Sequence, residues 1–213
     1  MNPVTCLQKL KYVGTLSFAT VDRSGCPQVR CISGVHLEDD AIYFFTARGK
    51  DFARELLATG AVQILGLTQY GEMIRVSGTP RALEGEAAEQ MADIIFSEEP
   101  FLETIYPGES RRQVGIVFAV RDMVIEYFRL HASPIFRESY ALGNAVITPH
   151  GYFITDLCTE CGRCEEVCPQ GVIEEGVPYE IEQDHCLRCG ACHDVCPVGA
   201  VVELPDESVK LPH

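Results

Sequence analysis

Basic charge is scarce in this chain: 17 Lys and Arg stand against 31 Asp and Glu in 213 residues, a formal charge of −14. Such a balance repels nucleic acid and anionic membranes and argues against both as partners. Long hydrophobic runs are missing too, and no segment has the uninterrupted apolar length of a membrane span. Met1-Asn2-Pro3-Val4-Thr5-Cys6 offers no charged stretch leading into a long apolar one, so a cytoplasmic chain with reduced thiols is expected. No Gly-x-Gly-x-x-Gly run follows a strand pattern, which removes a built-in dinucleotide domain. Tryptophan is absent altogether.

Cysteine, by contrast, is abundant. Eight of the eleven fall in two runs of one spacing, Cys158-x2-Cys161-x2-Cys164-x3-Cys168-Pro169 and Cys186-x2-Cys189-x2-Cys192-x3-Cys196-Pro197. Three thiolates separated by two residues each can wrap one face of a compact [4Fe–4S] cluster. The fourth, three residues on and followed by a chain-reversing proline, points to a second cluster. Ligation is then crossed: Cys158, Cys161, Cys164 and Cys196 hold one cluster, and Cys186, Cys189, Cys192 and Cys168 the other. A zinc site needs only two separated pairs, and disulfides belong to oxidising compartments, so neither explains the doubled motif. The runs also form an internal repeat offset by 28 residues, matching at Gly162/Gly190, Val167/Val195, Pro169/Pro197 and Gly171/Gly199. From about Tyr152 to Glu203 the segment resembles the bacterial two-cluster ferredoxins, which implies electron transfer. His185 and His193 abut cluster cysteines and read as surface groups that tune cluster solvation.

Acid is concentrated at this end. Residues 151–213 carry 13 Asp and Glu against 3 Lys and Arg, a charge of −10, whereas residues 1–150 carry −4. The acidic face is either a solvated surface or a docking site for a basic redox partner.

The first 150 residues alternate as strands and turns. Asn2-Pro3 caps a short opening helix with Val4, Leu7 and Leu10 at helical spacing. Leu16–Val21 and Pro27–Ser33 flank Asp22-Arg23-Ser24-Gly25 as a hairpin, and Val35–Leu37 pairs with Ala41–Thr46 across Glu38-Asp39-Asp40. Lys50–Ala58 reads as a helix with Phe52, Leu56 and Leu57 inward. Ala61–Leu67 and Met73–Leu83 are strands, Glu86–Phe96 is a helix, and Val114–Val120 with Met123–Arg129 makes a last hairpin. Arg111-Arg112 reads as a solvated loop pair. The expected class is mainly β with short helices, an α+β chain whose antiparallel barrel domain (1–143) precedes a small ferredoxin-type domain (144–213).

Two stretches carry a second resemblance, to the FMN-binding split-barrel family that includes pyridoxamine 5′-phosphate oxidase, over roughly residues 1–140. Tyr43-Phe44-Phe45-Thr46-Ala47-Arg48-Gly49-Lys50 looks like the family's aromatic-Thr strand end and the lysine that opens a helix. Gln28-Val29-Arg30-Cys31-Ile32-Ser33-Gly34 is similar to the strand whose arginine reaches the flavin phosphate. The resemblance implies that Thr46, Lys50 and Arg30 cradle phosphate, with Phe45 beside them and Cys31, Ile32 and Ser33 along the ring edge. A flavin phosphate carries close to two negative charges, so a lysine at a helix N-terminus suits it. It also implies a homodimer, because the family's flavin lies between subunits.

The chain departs from the oxidase proper, whose closing segment carries a flavin-stacking Trp and substrate-binding Arg and His. Here Leu130-His131-Ala132-Ser133-Pro134-Ile135-Phe136-Arg137-Glu138 leads instead to Gly143 and the clusters. Vitamin B6 oxidation is therefore not expected, and oxygen sits badly beside [4Fe–4S] clusters. The expectation is a flavin- and iron–sulfur-dependent reductase with a small organic electron acceptor and a ferredoxin or other redox protein as donor. Two alternatives stay open: an electron-transfer subunit without its own substrate, or a haem-binding barrel using His36 or His131. His131 and Arg137 are candidates for substrate contact. Cys6, Cys26 and Cys31 read as small buried hydrophobes. Cys31 is nevertheless a candidate reactive thiol beside Arg30.

Overall fold

The computed structural model describes residues 1–108 and 113–204; Arg111-Arg112 lies outside them. Chain packing divides the described residues into two units. One is formed by residues up to 127 together with 139–146, the other by 128–138 together with 147–204.

The first unit opens with α1 (Pro3–Val13), started by Asn2, whose Oδ1 accepts the Thr5 N–H at 2.8 Å. Gly14, at φ +76°, stops it and donates its N–H to the Leu10 carbonyl. The helix buries Cys6, Leu7 and Leu10. β1 (Leu16–Val21) pairs antiparallel with β2 (Pro27–Ile32), from Leu16↔Ile32 to Val21↔Pro27. Asp22 fixes the connecting turn. Its carboxylate accepts the Ser24 hydroxyl at 2.6 Å and the Ser24 and Cys26 N–H groups at 2.8 and 3.0 Å. These bonds, led by the Ser24 hydroxyl, hold its pKa down to about 2.

Next come β3 (Val35–Leu37), β4 (Ile42–Ala47), α2 (Asp51–Thr59), β5 (Val62–Leu67), β6 (Glu72–Ala82), α3 (Gly85–Glu98), α4 (Leu102–Ile105), β7 (Gly115–Arg129) and β8 (Phe136–Leu142). The sheet order is β2-β1-β5-β6-β7-β4-β3, with β8 also on β7, and the sheet curls into a half-barrel. Phe44 packs inside it against Phe118, Phe52 and Phe18, with ring centroids 5.4, 5.7 and 4.9 Å away. The other face of β4 is covered as well, Phe45 meeting Phe96 and Tyr106 edge-on. That double cover is why β4 reads as a nearly continuous apolar run.

Two sequence expectations are corrected. The last hairpin is one continuous strand, β7. Its core-facing residues change phase from Phe118 and Val120 to Met123, Ile125 and Tyr127 across Arg121-Asp122, the pattern a bulge leaves. The polar pair there sits inside the strand and does not turn the chain. On α2, Phe52 and Leu56 are inward as expected but Leu57 is 59 % exposed, while Glu55 is 6 % exposed. Glu55 lies one turn from Phe52 on the buried face, and Leu57 falls off it.

The second unit pairs β9 (Gly151–Ile154) with β12 (Val201–Leu204), and β10 (Ile173–Glu174) with β11 (Glu180–Ile181). Between them lie two one-turn helices, α5 (Arg163–Glu166) and α6 (Ala191–Asp194). Cysteines form part of this core: Cys164, Cys186 and Cys192 are buried with Ile173, Tyr179, Ile181 and Val201.

Candidate functional site

The two-cysteine-run repeat becomes a two-fold arrangement. Gly162 and Gly190 stand at the N-caps of α5 and α6 with φ +73° and +85°, left-handed conformations that favour glycine. A hydroxyl group approaches each: a Cβ at Gly162 would lie 3.7 Å from the Tyr179 Oη, and one at Gly190 would lie 2.9 Å from the Tyr152 Oη.

Cys158, Cys161, Cys164 and Cys196 line one small hollow with Tyr179. Cys168, Cys186, Cys189 and Cys192 line a second small one with Tyr152. Each run thus contributes its first three cysteines to one hollow and its fourth to the other. Among the described residues no three His, Cys, Asp or Glu groups converge on a point fit for a single ion. The quartets therefore surround a space and do not close on one tetrahedral ion.

Backbone N–H groups point at several sulfurs: Glu160 to Cys158 Sγ at 3.4 Å, Arg188 to Cys186 Sγ at 3.3 Å and Ala200 to Cys196 Sγ at 3.2 Å. Burial pushes the metal-free thiol of Cys192 up to about 11 and raises those of Cys164 and Cys186. At Cys196 burial acts the same way, but backbone N–H groups from Val198 to Val201 outweigh it and lower the thiol. A metal centre that took these buried thiols as ligands would displace their protons. His185 is partly exposed, with Nε2 3.5 Å from Glu182 Oε1, and its Nδ1–H donates to the Ile135 carbonyl at 2.7 Å. His193 is half exposed beside Asp194. The Gln170 side-chain oxygen accepts the Ile135 N–H at 2.9 Å. Residues 128–138 are in this way tied to the cluster unit, with His131 exposed and the Arg137 guanidinium 4.8 Å above the Phe128 ring.

In the barrel the candidate flavin residues divide. Arg30 on β2 donates Nη1 to Glu55 Oε2 at 2.9 Å and to Thr20 Oγ1 at 2.6 Å, and Thr20 also bonds Glu55. Arg30 and Glu55 line a hollow of about 510 Å³ with Asp22, Arg23, Ser24, Gln28, Asp51 and Arg54. Phe45 is buried and lines a different hollow with Arg48, Leu83 and Ile116, across from Ala92 of α3. Thr46 is 4 % exposed. Lys50 is exposed at the N-cap of α2, its Nζ 5.8 Å above the Tyr106 ring, and no side chain caps the helix. An uncapped helix N-terminus beside an exposed lysine is a fit place for a phosphate. Ile32 and Ser33 are half-buried. Cys31 and Cys26 are exposed while Cys6 is buried, so the buried-hydrophobe expectation holds for Cys6 only. His36 faces carboxylates on both sides, Glu98 at 2.8 Å from Nδ1 and Glu38 at 3.7 Å from Nε2.

The profile of the Pyridoxamine 5′-phosphate oxidase family matches residues 5–117, and that of the 4Fe-4S dicluster domain matches residues 157–200. The chain belongs to the pyridoxamine 5′-phosphate oxidase family and joins its split barrel to an iron–sulfur domain. A NimC/NimA family protein from Clostridium acetobutylicum superposes with a TM-score of 0.54 at 18% identity, covering 65% of this chain and 90% of that one. A heme binding protein from Mycobacterium smegmatis gives 0.54 at 10% identity, over 66% of this chain and 58% of its own. A Clostridium acetobutylicum protein related to general stress protein 26 gives 0.51 at 12%, over 66% and 96%. At these identities the likeness is one of fold. The comparison with curated proteins returns no match.

Proposed function

We propose that this chain is a cytoplasmic FMN-dependent oxidoreductase that takes electrons through two [4Fe–4S] clusters and delivers them to a small organic acceptor. The observation that carries it is the joining, in one chain, of two cysteine quartets around twin hollows to a barrel whose α2 N-terminus is uncapped beside Lys50. Cys158, Cys161, Cys164 and Cys196 hold one cluster, and Cys168, Cys186, Cys189 and Cys192 the other. Bound FMN supplies the exchange between single-electron and two-electron transfer. Lys50, the first N–H groups of α2 and the Thr46 hydroxyl hold its phosphate; Arg30 reaches it with the donors that Glu55 and Thr20 leave free. A ferredoxin-like protein is the donor, docking on the acidic cluster unit.

The chain works as a homodimer. On the outer face of the sheet, Cys31, Ser17 and Leu65 lie in register across β2, β1 and β5, flanked by Val29 at 69 % exposure and Leu67 at 59 %. An apolar row on an edge strand suits a second copy. A haem reading is weaker, because both ring nitrogens of His36 already face carboxylates and His131 belongs to the cluster unit, not to the barrel unit.

Anaerobically purified protein should contain about eight irons and eight acid-labile sulfides per chain, and one FMN. Lys50→Ala should weaken FMN by about 1.5–3 kcal/mol while leaving riboflavin binding unchanged. With a reduced ferredoxin, nitroaromatics, quinones and enoates are the acceptors to assay. Haem bands in place of flavin, or turnover only with a partner protein, would replace this reading with one of the other two.

A further inference from the structure

The two halves of the cluster unit serve as controls on each other, because the backbone near the first cysteines of each run is alike. Glu160 and Arg188 occupy matched repeat positions, both with positive φ, +56° and +59°. The N–H of each donates to the sulfur two residues earlier, at 3.4 and 3.3 Å. Residues with a Cβ resist this conformation, so its presence in both halves reflects a shared geometry of backbone and sulfur.

The side chains differ. Glu160 is exposed. Arg188 is half-buried, lines the hollow of Cys168, Cys186, Cys189 and Cys192, and lies over Gly151. Gly151, at φ +112°, leaves it room: a Cβ there would stand 3.2–3.4 Å from Nε, Cδ and Cγ of the arginine. His150 holds the far end. Its Nδ1 faces the Thr148 carbonyl at 3.2 Å, an oxygen that can only accept, so Nδ1 carries the proton and the bare Nε2 accepts from Arg188 Nη1. A full positive charge is fixed beside one hollow, where the other half has a carboxylate.

The rest of each run leans the same way. Residues 158–168 contain three Glu and one Arg, a formal −2; residues 186–196 contain one Arg and one Asp, a formal 0 with His193 neutral. Arg163, the cation of the first run, lines its own hollow but is exposed, so water and salt screen it more than the half-buried Arg188.

Resting on the cluster reading above, we propose that Arg188 makes the two clusters unequal. The cluster of Cys168, Cys186, Cys189 and Cys192 takes the first electron, and the other is the lower-potential site. Reduction adds one negative charge to a cluster; a nearby cation favours that change and a nearby carboxylate opposes it. Arg188 acts through the sulfur shell and is a positioning residue, not a ligand. The near-symmetric repeat thereby acquires a preferred resting end for the electron.

The test is stepwise anaerobic reduction of the full-length holoprotein, with paramagnetically shifted NMR signals of the cysteine β-protons reporting which cluster is reduced. At one electron per chain the Cys186-side cluster should hold it at least tenfold more often, a gap of about 59 mV or more for a one-electron couple. Arg188→Gln should bring the ratio towards unity, and Arg188→Lys should keep most of it, with iron and sulfide content unchanged in both. Equal occupancy in the wild-type chain, or an unmoved ratio in Arg188→Gln, overturns the proposal. Should Arg188→Gln lose its clusters, Glu160→Gln at the exposed matched position decides: it should lower the ratio, and an unmoved ratio overturns the proposal. Protein without acid-labile sulfide removes the cluster reading itself, a result distinct from two equal clusters.

Discussion

The barrel unit and the cluster unit bury different materials. Inside the barrel Phe18, Phe44 and Phe118 are fully buried with Leu7, Leu10, Leu16, Ile42 and Ile64, an aromatic and aliphatic core that needs no ligand. In the cluster unit the described core groups the buried Cys164, Cys186 and Cys192 with Ile173, Tyr179, Ile181 and Val201. A small domain of this kind cannot bury enough apolar surface to stand alone and relies on metal ligation for its folding free energy. One unit is a scaffold that a cofactor can visit. The other is a scaffold that its cofactors complete.

The largest effect expected from that contrast is on iron removal. Chelation under anaerobic reducing conditions should abolish amide-exchange protection across residues 151–204 while β1, β4, β5 and β7 stay protected. Persistent protection in β9 and β12 of the metal-free chain would break the comparison. Next in size is Phe44→Ala. Loss of a fully buried ring packed on three others should destabilise the barrel by about 3–5 kcal/mol in urea titration. The iron–sulfur absorption should be unchanged before the barrel unfolds. Glu55→Ala comes third: it leaves Arg30 and Thr20 without their shared acceptor inside the barrel, a loss of about 1–3 kcal/mol by the same titration.

The smallest effect is one of pH. Burial alone would raise Glu72, but hydrogen bonds from Lys9 at 2.6 Å, Tyr127 at 2.7 Å and Thr68 at 3.1 Å outweigh it and hold the carboxyl below the usual range. Because its folded pKa is depressed, its contribution is complete above the ordinary glutamate range. It is lost as the pH falls through the lowered folded value. Glu72→Gln should flatten that part of the barrel's acid profile and leave the stability of the cluster unit untouched. An unchanged acid profile would mean that other carboxylates dominate.

The grouping of the cysteines was legible in the sequence because it follows from spacing: the two-residue gaps keep the first three of each run on one hollow, and the three-residue gap before Cys-Pro sends the fourth to the other. The barrel strands were legible where one face meets water, as in β1. They were misread where polarity served packing. Arg121-Asp122 has the composition of a turn, yet the strand passes through it, because Asp122 accepts the Asn144 N–H at 2.9 Å and Gly143 leaves space against it. Glu55 was not singled out in the sequence, since its partners Arg30 and Thr20 are far from it along the chain. The Glu160/Arg188 contrast was available from the 28-residue offset, but a repeat is first read for what it keeps and not for what it changes.

The β7–β8 segment has a consequence for engineering. The chain leaves the barrel unit after residue 127, returns at 139 and leaves again after 146. The two units are stitched by several passes and not threaded like beads on one linker. A splice at a single point, after Gly143 for instance, would strand residues 128–138 on the wrong fragment, with the Ile135 amide and carbonyl severed from Gln170 and His185. Any cassette that carries the cluster unit to another host must take residues 128–138 with it, and any barrel released from it must be re-closed between β7 and β8.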